Sequence, residues 1–531
     1  MEMSRRKLFA LGGAAAAVAA VGVNTPALAQ QNPTQTWHSE LVRPGPDGRL
    51  EYHPDAYGNR IPDFSWAGYH NGERPIPEVP VVKSIRPVSG DNTEHIQQAI
   101  DAVSALPIND QGFRGALLLE AGLYEVAGHL SIRESGVVLR GVGKEIDTGN
   151  NTVIRATGGG ELTRVIRMGG QVGDMDSQVP DTLTDITSEV VETGDRTFTV
   201  ADASGLRVGH NIMIHHPHTA EWNDAIGGGG VREEPPWPVG TRPIIYNRYI
   251  KEISGNEITV CAPVFNRLDR SLSQTHLYAW DQAGLIREVG IENLRIDMGY
   301  PDDNADENHP QSCIMVNGVQ DAWIKDATLL HFSFAGVHVQ RSTRVTVDNV
   351  RASHPRSQLI GSRRYNFCTG ALGQQVLMRD LWASHARHAF ATNGASRTSG
   401  NVWLDGFNDT GYSESGGHHR WSQGLLLDNI KELSSQSTKA WVISLHNRGD
   451  VGPGHGWSSV NSVAWNCTVD NGKRICVQRP PTGQNYAIGT TGAASGENWY
   501  DDIPAGHIEG TNQPGLAIRS LYEAQLADRL G

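Results

Sequence analysis

The sequence predicts an all-β protein wound as a parallel β-helix, and three observations carry that prediction. Short apolar strands end repeatedly in Asn or Asp, at Asn293, Asp326, Asn349, Asp380, Asp405, Asn429 and Asn466, with spacings of 33, 23, 31, 25, 24 and 37 residues. A base period of 23 to 25 residues fits one coil of three short strands with their turns, and loop insertions lengthen the other intervals. Asn and Asp suit the bends because their short polar side chains tolerate the left-handed conformation and hydrogen-bond locally. Composition agrees: 60 Gly, 26 Pro and 19% charged residues describe a loop-rich, β-leaning chain. Finally, the run GALLLEAGLYEVAGHLSIRESGVVLRGVG alternates β-type segments with Gly turns and leaves no room for crossover helices.

The elements follow in order. Residues 1–29 carry Arg5 and Arg6, a short Ala/Gly-rich apolar stretch and an Ala27-Leu28-Ala29 cleavage motif, which together form an export signal of twin-arginine type. The mature chain is therefore expected in the periplasm or secreted, with no membrane partner after signal removal. Residues 30–80 lack periodicity and form an extended arm. In residues 81–182, Asp91 and Glu94 sit at capping-box spacing. Behind them Ile96, Ala99, Ile100, Val103 and Leu106 fall on one face, so an amphipathic helix precedes the first coils. Residues 183–270 alternate around a Gly-Asn turn and read as a small inserted β subdomain, with EWNDAIGGGGVREEPPWPVG as its mobile loop. Residues 271–500 hold the main coils, and residues 501–531 form a C-terminal tail.

Five cysteines in so long an exported chain are too few for a disulfide scaffold. Cys467 and Cys476 stand at hairpin distance, against buried free thiols as the plainer alternative. The net charge of -13 excludes general affinity for nucleic acid, so any polyanion must be met by a local basic patch.

Such a patch exists. Residues 351–420 contain eight Arg, no Lys and four acids, a local charge of +4. Five residues beyond Asp326, Asn349 and Asp380 stand His331, His354 and His385, so a stacked Asx column brings a histidine column with it, broken next by Thr410. Three clusters place imidazole or guanidinium beside an aromatic: Arg363, Arg364 and Tyr365; His418, His419, Arg420 and Trp421; His446, Arg448, His455 and Trp457. Guanidinium forks onto planar carboxylates, and sugar faces lie on rings, so the pattern points to an acidic glycan.

The blocks GDNTEHIQQAID, GALLLEAGLYEV, SGVVLRGVG, SRRYNF, ARHAF, HHRWSQGLLLDN and GHGW together resemble the exported bacterial right-handed parallel β-helix proteins of the pectate-lyase-like superfamily. That resemblance implies that the amphipathic helix caps the open end of the β-helix; such folds host lyases, glycoside hydrolases, transferases and phage-type adhesins, and the supply of Arg and His around Tyr365 points among them to a lyase acting on an acidic polysaccharide. β-Elimination needs a cation on the carboxylate, a base for the C5 proton and an acid for the leaving oxygen. Arg363, Arg364 or Arg387 serve the first role, His388 or His385 the second, Tyr365 the third. His331, His354, His419, Arg420, Trp421, His446, Arg448, His455 and Trp457 are expected to bind substrate. The superfamily's stacked-aspartate calcium cluster is not evident, so no metal ligands are assigned. Ca2+ has only the acidic run Asp302, Asp303, Asp306 and Glu307 as a candidate site, against a solvated loop. Two rival functions stand beside the lyase: a glycoside hydrolase or transferase using Asp405, Asp409 and Glu414, and a non-catalytic glycan-binding protein. A homotrimer formed along the lateral faces accompanies either reading.

Overall fold

A computed structural model describes residues 36–173, 175–299, 305–500 and 502–531. The expected signal segment, Asp302 and Asp303 lie outside the described residues.

Strands Ile286–Met298, Val319–Leu330, Ser342–Ser353, Leu377–Ser384 and Ser399–Asp409 stack in parallel, one per coil. Ile291, Ile324, Val347, Met378 and Trp403 are successive register partners, all fully buried, so each coil covers the apolar row of the last. A second wall is a ten-stranded parallel sheet running from Leu130–Ile132 to Ala493–Ser495. Every other sheet that builds the coils is likewise parallel, and the fold is an all-β parallel β-helix.

The corners explain the Asx column. Asn293, Asp326, Asn349, Asp380, Asp405, Asn429 and Asn466 all have φ between 51° and 55°, the left-handed region that these short side chains tolerate. Asn466 Nδ2 donates to Asn429 Oδ1 at 2.7 Å, one rung of the ladder. Five residues on, His331, His354, His385, Thr410 and Ser434 form a second left-handed corner, with φ from 52° to 65°. Five residues before, Glu288, Asp321, Arg344, Gln375, Gly400, Gly424 and Asn461 form a third.

The helix Thr93–Ser104 buries Ile96, Ala99, Ile100 and Val103 against Leu117, Leu119 and Leu139 of the first coils. The capping box does not form: Asp91 Oδ1 accepts from Thr93 N at 2.9 Å, while Glu94 accepts from Gln98. Leu106 lies beyond the last turn and is partly exposed. No helix among the described residues is long and apolar enough to cross a membrane.

The insertion is an antiparallel six-stranded sheet spanning Thr184 to Ala279, whose core merges with Leu377, Val402, Leu404 and Leu426 of the coils. Its Gly/Pro loop was expected to be mobile but is anchored. Trp237 is buried and donates Nε1 to Gly454 O at 3.0 Å, and Asp450 Oδ1 accepts from the backbone N of Arg232, Glu233 and Glu234. The C-terminal segment also docks, for Asp428 Oδ2 accepts from Ser520 Oγ at 2.7 Å and Tyr522 N at 2.9 Å. Gln525 exchanges hydrogen bonds with Phe64 N and Pro62 O of the N-terminal arm.

All five cysteines are free and buried, so Cys467 and Cys476 form no bridge. Burial raises the thiol pKa of Cys313, Cys368, Cys467 and Cys476, and pushes Cys368 up to about 12. An aqueous thiol reagent is therefore expected to modify no cysteine in the native protein and all five after unfolding, which a mass-resolved labelling time course checks.

Two carboxyl groups inside the stack titrate the opposite way from surface acids. Glu432 accepts from Asn408 Nδ2 at 2.6 Å beside Ser415, and burial pushes its pKa up to about 8; burial likewise pushes Asp428 up to about 7. Below its ordinary value each group is protonated in both states. Between that value and the raised one the native state binds the extra proton, so this contribution to stability is lost as pH rises. Thermal midpoints are expected to fall between about pH 4.5 and 8 on this account. Glu432→Gln, which keeps both hydrogen bonds without a charge, is expected to flatten that slope in melts recorded across the range.

Candidate active site

The site is built on the ten-stranded wall, where strand Tyr365–Thr369 pairs with His388–Thr392 and Tyr365 is the register partner of His388. Their rings lie parallel, with centroids 5.3 Å apart. The third side chain comes from the end of strand Ser415–Gly417: His418 stands 4.7 Å from His388, ring to ring, and its Nε2 is 3.1 Å from the Tyr365 hydroxyl.

The donors fix the tautomers. His388 Nδ1 is 2.6 Å from the Glu414 carbonyl, which only accepts, so Nδ1 carries the proton and Nε2 keeps its lone pair. That Nε2 is buried and has no hydrogen-bond partner. Arg448 Nη1 lies 2.8 Å from His418 Nδ1 and can only donate, so His418 carries its proton on Nε2 and donates it to Tyr365. Arg387 Nη1 also donates to the Tyr365 hydroxyl, at 3.2 Å. With two donors on its oxygen, Tyr365 directs its own proton elsewhere.

Burial pushes the pKa of both His388 and His418 well below the ordinary imidazole value, so both are neutral bases at neutral pH. Burial also raises Tyr365, against the opposing pull of Arg387, so the phenol keeps its proton. Glu414, whose carbonyl holds His388, is buried beside the cluster. Burial alone would raise it, but Arg448 at 3.2 Å and the adjacent Lys439 hold it well below the usual carboxylate range. At the rim, Lys439 lies 5.2 Å from the centroid of Trp499, a 45% exposed ring that also contacts Trp441 and His446.

The expected residues divide. Tyr365, Arg387, His388 and Arg448 come together in one cluster. His455 and His419 join it from the flank, with ring centroids 5.1 and 5.4 Å from His418, and burial pushes His419 to about 3 and His455 to about 2. His446 is buried behind Trp499, held by Asn498 Nδ2 on Nδ1 at 2.7 Å. His385 sits at a left-handed corner, on Ser384 and against His354 at 4.8 Å, and His331 pairs with Asp297 at 2.6 Å. The histidine column is thus a row of corners on the neighbouring face, apart from the His388–His418 contact.

Several expectations are corrected. Arg363 grips both oxygens of Glu307, so it is not available to a substrate carboxylate, and Glu307 is not available to Ca2+. Arg364 is a buried strut whose guanidinium binds Ser357 and whose carbonyl accepts from Arg387 N and His388 N. Arg420 reaches Pro453 O at 2.6 Å. Trp421 is fully buried, donating Nε1 to Asn266 and packing on Trp222, while Trp457 is 4% exposed in the same core; neither offers a face to sugar. Asp405 is gripped by Arg519 at 2.7 and 2.8 Å, and Asp409 accepts from Thr410 Oγ1 at 3.2 Å at the His385 corner, which leaves Glu414 as the hydrolase candidate at the cluster. His418 stands in the His418–Trp421 cluster of the sequence but its pairing with Tyr365 depends on the fold, and Lys439 and Trp499 carry no distinguishing signal there; each is a single residue brought in from a different coil.

Among the described residues, His70, Glu288 and Asp321 are the one group whose ligand-type atoms converge, within 4.8 Å. It is already satisfied, with Glu288 accepting from His70 at 2.6 Å and from Tyr69, and Asp321 paired with Arg344. It clasps the N-terminal arm to the coils.

Fold and site together define a parallel β-helix protein with a buried Tyr/His/Arg cluster on its ten-stranded wall. No family model matches the sequence, and no curated protein is significantly similar to it. Among solved structures it is similar to the tailspike gp49 of Pseudomonas phage LKA1, at 14% identity and a TM-score of 0.46 over 75% of this chain and 63% of that one. The Gp54 tailspike of Acinetobacter baumannii bacteriophage AP22, solved with a capsular saccharide, is 12% identical at a TM-score of 0.46, over 80% of this chain and 66% of that one. The alginate lyase of Paenibacillus sp. str. FPU-7 is 9% identical at a TM-score of 0.38, over 81% and 98%. The chain thus spans less than two thirds of either tailspike's length. These likenesses are too distant to carry function, which rests on the site.

Proposed function

We propose that the protein is an exported polysaccharide lyase that cleaves a uronic-acid-containing polysaccharide by β-elimination. The observation that carries this reading is the neutral His388, whose unpartnered Nε2 lies stacked against the phenol of Tyr365. His388 Nε2 takes the C5 proton, the electron pair forms the C4=C5 bond, the C4–O bond breaks, and the leaving oxygen takes the Tyr365 proton. Arg387 is the half-buried cation next to Tyr365, placed to neutralise the C6 carboxylate and so make C5 more acidic. Because Tyr365 and His388 are covered, a bound carboxylate must draw Arg387 off the phenol, which frees one side of the hydroxyl and leaves His418 on the other.

A hydrolase needs two carboxyl groups across one cleft, one of them protonated. Glu414 is held ionised between two cations, and Asp405 is paired away from the cluster. The experiment is a panel of acidic polysaccharides read by ultraviolet absorbance and by reducing ends. New absorbance with new ends supports the lyase; new ends without absorbance support a hydrolase; neither from any substrate removes both.

A further inference from the structure

A second recess lies on the face next to the site, a groove of about 410 Å3. Its cations are Lys144, Arg295 and Arg351, with the His354 ring beside them, its acids are Glu145 and Asp380, and Trp382 forms one wall. Trp382 is 39% exposed, unusual for so large a ring, and the Arg351 guanidinium sits 3.5 Å from its centroid. Arg351 has no ion pair among the described residues, and its Nε is buried without a hydrogen-bond partner. Arg295, by contrast, is engaged by Asp297 at 2.9 Å, and Lys144 by Asn349 O at 3.0 Å.

The register turns these side chains into a track. Arg295, Thr328, Arg351, Trp382 and Phe407 are successive partners across five coils. Four steps of ~4.8 Å give a row of ~19 Å. The same coils carry the site: strand Ser342–Ser353 leads to Tyr365–Thr369, and Leu377–Ser384 leads to His388–Thr392. The corner between the two faces is the His354–His385 pair.

We infer that this groove is an accessory binding site for an anionic polysaccharide. A pyranose ring packs against the exposed edge of Trp382, whose face carries the Arg351 guanidinium, and its carboxylate takes that guanidinium, which forms no ion pair among the described residues. A chain held there passes the His354–His385 corner toward Arg387. The ligand class rests on the function proposed above; the groove itself rests on Trp382 and Arg351.

The test is affinity electrophoresis in native gels cast with alginate, polygalacturonate or glucuronan, with dextran as the neutral control. All proteins carry His388→Ala so that the matrix stays intact, and melts confirm folding. The His388→Ala protein is expected to be retarded by at least one acidic polymer and not by dextran. Adding Trp382→Ala or Arg351→Gln is expected to weaken that affinity about tenfold. Retardation unchanged by both substitutions overturns the groove and leaves the lyase standing, as does turnover by the parent without any retardation. Absence of both retardation and turnover overturns the lyase and the groove with it.

Discussion

His388→Asn is expected to fold as the parent does and to turn over acidic polysaccharide about 10²- to 10⁴-fold more slowly, the usual worth of a positioned general base. Asn is the informative replacement because its amide stands where Nδ1 stood and preserves the 2.6 Å bond to the Glu414 carbonyl. What disappears is Nε2, the atom without a partner. The pH profile adds an independent check. Burial lowers the His388 pKa, so the base is competent above that value and is lost only as pH falls through it; the acid limb of kcat/KM belongs below the ordinary imidazole value of about 6.5. Tyr365, raised by burial, stays protonated across neutral pH, so the alkaline limb belongs above about 10. Tyr365→Phe is expected to remove that limb together with most of the turnover. A His388→Asn protein as active as the parent would falsify the assignment of the base.

The fold was legible because its repeat is enforced by the backbone. Each coil needs a residue that tolerates φ near 50° at the same corner, and Asn or Asp supplies it at Asn293, Asp326, Asn349, Asp380, Asp405, Asn429 and Asn466. The corner five residues earlier is equally regular but holds Glu288, Asp321, Arg344, Gln375, Gly400, Gly424 and Asn461, a set with no shared chemistry to read. The histidine column follows the same spacing, but its regularity reflects another left-handed corner, and the Tyr365–His388 pair lies around it. Tyr365 and His388 stood out as residue types, whereas their pairing depends on strand register. Glu414, His418, Lys439 and Arg448 meet only because separate coils converge, and adjacent residues divide sharply: His418 touches the phenol while His419 lies to one side. Trp421 and Trp457 misled because aromatic residues beside cations look alike in sequence whether they line a cleft or fill a core.

Glu414→Gln is expected to lower stability by about 3–5 kcal/mol at pH 7, measured as a shift of the denaturant midpoint, because it strands buried cations. The Glu414 and Arg448 side chains are each 2% exposed and 3.2 Å apart, with Lys439 on the other oxygen. Arg448→Met is expected to cost a comparable amount for the converse reason, leaving the carboxylate with Lys439 alone. Glu414 titrates below its ordinary value in the native state, so its contribution is fully present above about pH 4.3 and is lost as pH falls from there; the loss at pH 7 is therefore that of the ionised pair. Combining the two substitutions removes both opposed charges, so the double variant is expected to be less destabilised than the sum of the singles, a coupling that a double-mutant cycle measures. Activity is not expected to return with stability. Arg448 fixes His418 through Nδ1 at 2.8 Å and through its carbonyl at 2.6 Å, and His418 in turn orients the Tyr365 hydroxyl. A double variant that regains stability but stays slow, with KM little changed and kcat low, identifies the buried ion pair as the support of the acid; recovery of both together would reduce it to a packing element.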